Sequence, residues 1–158
     1  MATPTYDLLD STTLGTSATS VTLSGISGSY GDLILVVDGT TSLVTNQDLQ
    51  FNSDTGSNYS YVIASGDGSS ASSSTATTTY IRAGRMTTTQ SNQIIQIMDY
   101  SATDKHTTTL SRANADEVRM IAGRWADTSA VTSLTISAAP SPRTYDAGTT
   151  FYLYGVAK

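Results

Sequence analysis

The run Asp32-Leu33-Ile34-Leu35-Val36-Val37-Asp38-Gly39 constrains this chain more than any other stretch. Five consecutive apolar residues, three of them β-branched, stand between two acids. The run is too short for an ordinary core helix. An uninterrupted apolar segment of this length fits a strand covered on both faces. We read it as the central strand of a β-sandwich, with more polar strands laid around it.

Those other strands alternate. Val21 and Leu23, Leu49 and Phe51, Tyr59 with Tyr61 and Ile63, Leu134 and Ile136, and Phe151 and Leu153 each recur at every second residue. That is the period of a strand with one wet face. Ile94 to Met98 reads as a second well-buried strand. Asn52 to Asn58 and Asp127-Thr128-Ser129 are turn chemistry, and Pro140 and Pro142 exclude a central strand between Ala139 and Arg143. The expectation is all-β: a β-sandwich, jelly-roll-like, of about nine or ten short antiparallel strands. At 158 residues it is expected as a single domain over 1–158. Ser65 to Thr79 holds Gly, Ser, Ala, Thr and one Asp without an apolar anchor, and reads as a flexible loop.

Composition agrees with strands. Charged residues are 13% of the chain, against about a quarter in typical domains. Ser and Thr supply about a third of the positions. Thr fits a pleated, half-exposed surface, whereas Lys and Glu dominate exposed helix faces. A net charge of −5 argues against a nucleic-acid footprint. The lack of cysteine removes disulfides, thiol catalysis and zinc-thiolate sites. No apolar run approaches the ~20 residues that span a bilayer, and the opening Met1 to Tyr6 has no basic or apolar leader region. Synthesis in a cytoplasm and assembly into a particle are expected, with no membrane partner.

The catalytic candidates are sparse. Asp54-Thr55-Gly56-Ser57 matches the short motif of aspartic proteases, but those enzymes share one proton between two such carboxylates, and the motif occurs once. A hairpin turn is the simpler reading. Asn52, Asp54 and Asn58 place oxygens at alternating loop positions, as a calcium loop would, without the further carboxylates and closing Glu of such loops. His106, the one histidine, has Asp104 nearby but no Gly-x-Ser-x-Gly elbow to pair with. Asp99, Asp116, Glu117 and Asp127 fall near strand ends, and no two are marked out as a glycosidase pair. No catalytic residue, cofactor or metal is expected. Nine tyrosines and one tryptophan are a larger signal, since Tyr joins apolar area to a hydroxyl. Tyr59, Tyr61 and Asn58, beside a turn, form the candidate contact surface.

Several pieces, in order, carry a resemblance. They are Tyr6-Asp7-Leu8-Leu9 with Ser11-Thr12-Thr13-Leu14, Ser20 to Ile26, Tyr30 to Val37, and Leu49 to Ser60. Ile97 to Ser101, Gly123-Arg124-Trp125 and Gly148 to Val156 follow. The chain resembles small virion structural proteins of tailed bacteriophages, especially cyanophages. That resemblance implies a jelly-roll-like domain used in capsid decoration (cement) proteins and in fibre modules, and it transfers no catalytic residue. The first expectation is a non-enzymatic decoration protein on the capsid surface, a homotrimer bound to the major capsid protein. Its contacts are expected at the arm before Tyr6 and at Ser65 to Thr79. The alternative is a tail-fibre module recognising host polysaccharide. A fibre tip is expected behind a long stem, and the sequence opens on the domain itself, which favours decoration.

Overall fold

The computed structural model describes residues 4–158; the first three residues of the expected contact arm lie outside the described residues. Twelve strands follow one another: β1 (Tyr6–Thr13), β2 (Ser20–Ser24), β3 (Asp32–Gly39), β4 (Thr45–Phe51), β5 (Tyr59–Gly66), β6 (Ala71–Thr78), β7 (Ile81–Met86), β8 (Ser91–Met98), β9 (Thr107–Asn114), β10 (Val118–Trp125), β11 (Ser133–Ala139) and β12 (Thr150–Val156). They form two sheets, an eight-stranded one ordered β1-β12-β3-β8-β9-β10-β5-β6 and a four-stranded one ordered β2-β11-β4-β7. Every pairing is antiparallel. The molecule is an all-β sandwich.

Two differences from the sequence reading matter. The first is β6, which occupies most of the segment read as a flexible loop. Its residues, Ala-Ser-Ser-Ser-Thr-Ala-Thr-Thr, pair one-for-one with β5 from Tyr59↔Thr78 to Gly66↔Ala71. An edge strand needs only backbone hydrogen bonds to one neighbour, and Thr and Ser suit a pleated surface, so no apolar anchor was required.

The second is β3. It does sit inside the large sheet, between β12 and β8. Leu33, Leu35 and Val37 point inward and are fully buried, whereas Ile34 and Val36 alternate with them and are only partly covered. The small sheet packs on one face of the large sheet alone. The apolar run that promised cover on both faces receives it on one.

The core between the layers gathers Leu33, Leu35 and Val37 with Ile95 and Ile97 of β8, Phe151 and Leu153 of β12, and Leu49, Leu134 and Ile136 of the small sheet. Tyr145 meets Phe151 edge to face, centroids 5.0 Å apart at 90°, a favoured arrangement of ring quadrupoles. Gly123 of β10 faces this core. A Cβ there would lie 2.5 Å from Ile81 Cγ2 and 2.6 Å from Thr109 Oγ1, so only glycine lets β7 approach so closely.

Candidate functional site: the open face of the large sheet

Strand alternation sorts the large sheet into an inner and an outer set of side chains. Register then lines up the outer set across all eight strands. One row runs Leu8, Tyr154, Ile34, Gln96, Leu110, Ala122, Val62 and Thr75. The adjacent row runs Ser11, Tyr152, Val36, Ile94, Arg112, Met120, Ala64 and Ser73, apolar but for its two ends and the single cation Arg112. Eight large apolar side chains are conspicuously exposed among the described residues, and six of them, Tyr6, Leu8, Val62, Leu110, Val118 and Met120, stand on this one face at 44–57% exposure. Contiguous apolar surface of this kind marks interaction sites, while scattered single residues do not.

The face is nearly uncharged. Asp32 and Asp38 lie at opposite ends of β3 and are already engaged. Gln96 Nε2 and the Asp99 amide donate to Asp32 at 3.2 and 3.1 Å, and Gln90 Nε2 donates to Asp38 at 2.7 Å. Arg112 and Arg124 are the exposed cations, one on β9 and one on β10. A shallow depression of about 280 Å³ opens among Tyr6, Ile34, Ile94, Leu110 and Met120, with Arg112 as the one charged group on its wall. Tyr152 and Tyr154 lie stacked beside it, centroids 6.4 Å apart. Covering such a surface removes apolar area from water while stripping few charges, which is the inexpensive way to make a contact.

The tyrosine surface expected from sequence divides three ways. Tyr59 is fully buried: its ring stacks on Trp125 at 6.3 Å, and its hydroxyl donates to the carbonyls of Phe51 and Asp54 and accepts from the Phe51 amide. Burial pushes that hydroxyl up to about 12. Tyr59 is a core residue, because β5 turns its first residue inward under the small sheet. Tyr61 is half-buried and lies over Tyr80, centroids 6.3 Å apart, with the Arg82 guanidinium 5.0 Å from the Tyr80 ring centre. Asn58 is exposed, but its amide nitrogen donates to Asp54 Oδ2 at 2.9 Å. The three do not form one surface.

Asp54 organises that corner. Asn52 and Ser53 both have positive φ, 50° and 57°, and the Asp54 amide donates to the Phe51 carbonyl at 2.8 Å, a type I′ turn. The turn aims the carboxylate back at the chain. Oδ1 accepts from the Gly56 amide at 2.7 Å, and Oδ2 accepts from Asn58 and from Trp125 Nε1, the latter at 2.7 Å. The Asn58 and Trp125 hydrogen bonds hold Asp54 below the ordinary carboxylate range. The Asp-Thr-Gly motif is thus a clasp between β10 of the large sheet and the end of β4 in the small one.

Asn52 looks elsewhere. Its Oδ1 accepts from the Thr132 and Ser133 amides at 2.9 and 3.2 Å, and its Nδ2 donates to the Ala130 carbonyl. The oxygens weighed as a calcium loop therefore serve separate partners. His106 is exposed ahead of β9. Among the described residues no group of three or more His, Asp or Glu is placed to hold a metal ion.

Sequence reasoning missed Leu110, Met120 and Val62. Leu110 stands alone in a Thr-rich strand, and single apolar residues are common on ordinary surfaces. The available signal was the lack of alternation in β3 and β8, where Ile34, Val36 and Ile94 fill positions a wet face would give to polar residues.

Residues 32–94 match the family described as the PKD domain, a span from β3 into β8 that is less than half of the chain. It contributes strands to both layers, and β9 and β10 separate its β8 from its β5 in the sheet. No curated protein sequence matches the chain. Among solved structures, the chain is similar to the galectin LEC-6 of Caenorhabditis elegans at 9% identity and a TM-score of 0.39, covering 100% of this chain and 99% of that one. It is also similar to an exo-inulinase from Aspergillus awamori at 12% identity and a TM-score of 0.33, covering 96% of this chain and 29% of the enzyme.

Proposed function

We propose that this protein works by contact: it is a virion structural protein of a tailed phage, a capsid decoration protein seated on the major capsid protein through the open face of the large sheet. The observation that carries the reading is the gathering of six of the eight exposed large apolar side chains on that face. The sequence resemblance to phage virion proteins supplies the partner.

Magnitudes favour a repeated contact over a solitary one. Fully burying a Val, Leu or Met side chain contributes about 1.5–3 kcal/mol, so covering six that are half exposed offers on the order of 6 kcal/mol. Association itself costs roughly 4–15 kcal/mol. One face on one subunit would hold weakly. Copies that span neighbouring capsid subunits make each further contact intramolecular, and the sum becomes a durable clamp.

The test is direct imaging of intact particles with peptide counting by mass spectrometry. Density at regular positions over the head and hundreds of copies per particle are expected. Density at the tail alone, with a handful of copies, would move the protein to the fibre reading. One feature favours that second reading, the half-buried Tyr61, Tyr80 and Arg82 cluster, since aromatic rings beside hydrogen-bonding groups suit sugars. Glycan-array binding abolished by Tyr80→Ala would support it.

A further inference from the structure

A sheet edge offers unpaired amides and carbonyls to any passing strand, and natural proteins blunt their edges with charges, bulges, prolines or brevity. This sandwich has four edges. β1 carries Asp7 and Asp10 and a register shift between Leu8 and Asp10. β2 is only five residues long. β7 carries Arg82 and Arg85, and its pairing with β4 shifts between Gln47 and Asp48. β6 has none of these devices: eight residues, no charge, no proline, and an unbroken register with β5. Three edges are guarded and the fourth is left open.

We propose that β6 pairs antiparallel with β6 of a second copy of this chain, about a two-fold axis normal to the large sheet, to make one continuous sheet of two molecules. The occupant follows from self-complementarity. An isologous contact sets each residue against its own strand, so any charge near the axis would meet its like. β6 has no charge to meet. A two-fold normal to the sheet also preserves faces: outward Ser73 and Thr75 stay outward, and inward Ser72 and Ser74 stay inward. Each opposed pair is then drawn from small Ser, Thr and Ala side chains, with hydroxyl pairs that favour strand association. A three-fold ring would instead have to join β6 to a different edge, and every other edge is guarded. The same axis turns both open apolar faces toward one side, giving a bivalent surface. The pairing stands whether or not a capsid is what that surface meets.

Sedimentation velocity and native mass spectrometry of the full chain at high micromolar concentration are expected to give twice the 16.5 kDa chain mass. The double variant Ser73→Lys with Thr75→Lys places lysines face to face in each two-fold register that pairs most of the strand and is expected to halve that mass, with circular dichroism and melting temperature unchanged. Because the chain has no cysteine, Thr75→Cys gives an independent reading. It is expected to cross-link into covalent dimers with a short bismaleimide, which bridges directly opposed and diagonal cysteines alike, while Thr22→Cys on the small sheet does not. A monomeric or three-fold wild-type mass, a lysine variant that folds and stays dimeric, or equal cross-linking at both cysteines would each overturn the pairing.

Discussion

The two outward faces of the sandwich are built by the same alternation and yet differ in kind. On the small sheet the outer positions are Ser20, Thr22 and Ser24 of β2, Ser133, Thr135 and Ser137 of β11, and Asn46, Asp48 and Gln50 of β4. Thr22 and Thr135 share a hydroxyl hydrogen bond of 2.8 Å. Asp48 meets Arg82 at 2.5 Å in a close charge contact that is poorly aligned as a hydrogen bond. On the large sheet the equivalent positions hold Leu8, Tyr154, Ile34, Leu110 and Val62. The inner row of a strand reports that a core exists, which is true of both sheets. The outer row reports what the sheet is suited to meet, and it is polar on one face and largely apolar on the other.

The largest effect should come from breaking that asymmetry. Leu110→Asp with Met120→Asp is expected to weaken capsid binding roughly a thousandfold, the loss of two central side chains at about 2 kcal/mol each, with the fold intact. Thr22→Asp with Ser20→Asp on the opposite face should leave binding unchanged; equal losses from both pairs, measured by sedimentation with purified heads, would sink the distinction. A one-residue step on β3 sharpens it further. Leu35→Ala opens the core and should cost about 2–5 kcal/mol in chemical denaturation. Ile34→Ala, its neighbour on the open side, should cost well under half as much in the free protein and show its effect in binding instead.

How far the sequence carries the structure can be judged on such neighbours. The run from Leu33 to Val37 declared a strand because a short apolar run rich in β-branched residues has few other uses, and Leu134 with Ile136 declared an inner row by period alone. β6 was illegible because Ser, Thr and Ala have no periodic signal; its strand character comes from hairpin pairing with β5, the strand just before it, across the turn from Asp67 to Ser70. Tyr59 was misjudged because a tyrosine beside a turn reads equally as a contact residue or as an anchor whose hydroxyl closes that turn. The open face was half visible. Ile34 and Val36 told of cover on both sides, but only the register of eight strands shows that Leu8, Leu110 and Val62 fall on the same row.

The next effect concerns the clasp that keeps the layers, and so the two faces, in fixed relation. Asp54 is held below the ordinary carboxylate range by Asn58 and Trp125. A depressed carboxylate stabilises the fold fully above its unfolded value of about 3.9, and that contribution is lost as pH falls through the lower folded value. Stability of the wild type should therefore decline on acidification below about pH 4, through this group among others. Asp54→Asn isolates it: whichever way the amide sits, its NH2 faces the Gly56 donor or the Asn58 and Trp125 donors, so the variant should be less stable at neutral pH, with a deficit that narrows in acid. A deficit that stays constant from neutral pH into acid would show that the carboxylate's charge plays no part in the clasp.

The smallest effect lies on the polar face, and it tests whether that face is only solvated. Thr22 and Thr135 are a directly opposed cross-strand pair, and such pairs contribute roughly 0.2–1 kcal/mol relative to alanine. Replacing both with valine keeps the shape and β-branching while removing two hydroxyls from a surface that water already satisfies. The double variant should change stability by no more than about 0.5 kcal/mol, the usual span of surface substitutions, and should leave association and capsid binding untouched. A gain in self-association would mean that the small face was kept polar to prevent contact. The asymmetry would then be selected on both sides of the sandwich, the hydroxyls of one sheet excluding partners as firmly as the apolar rows of the other admit them.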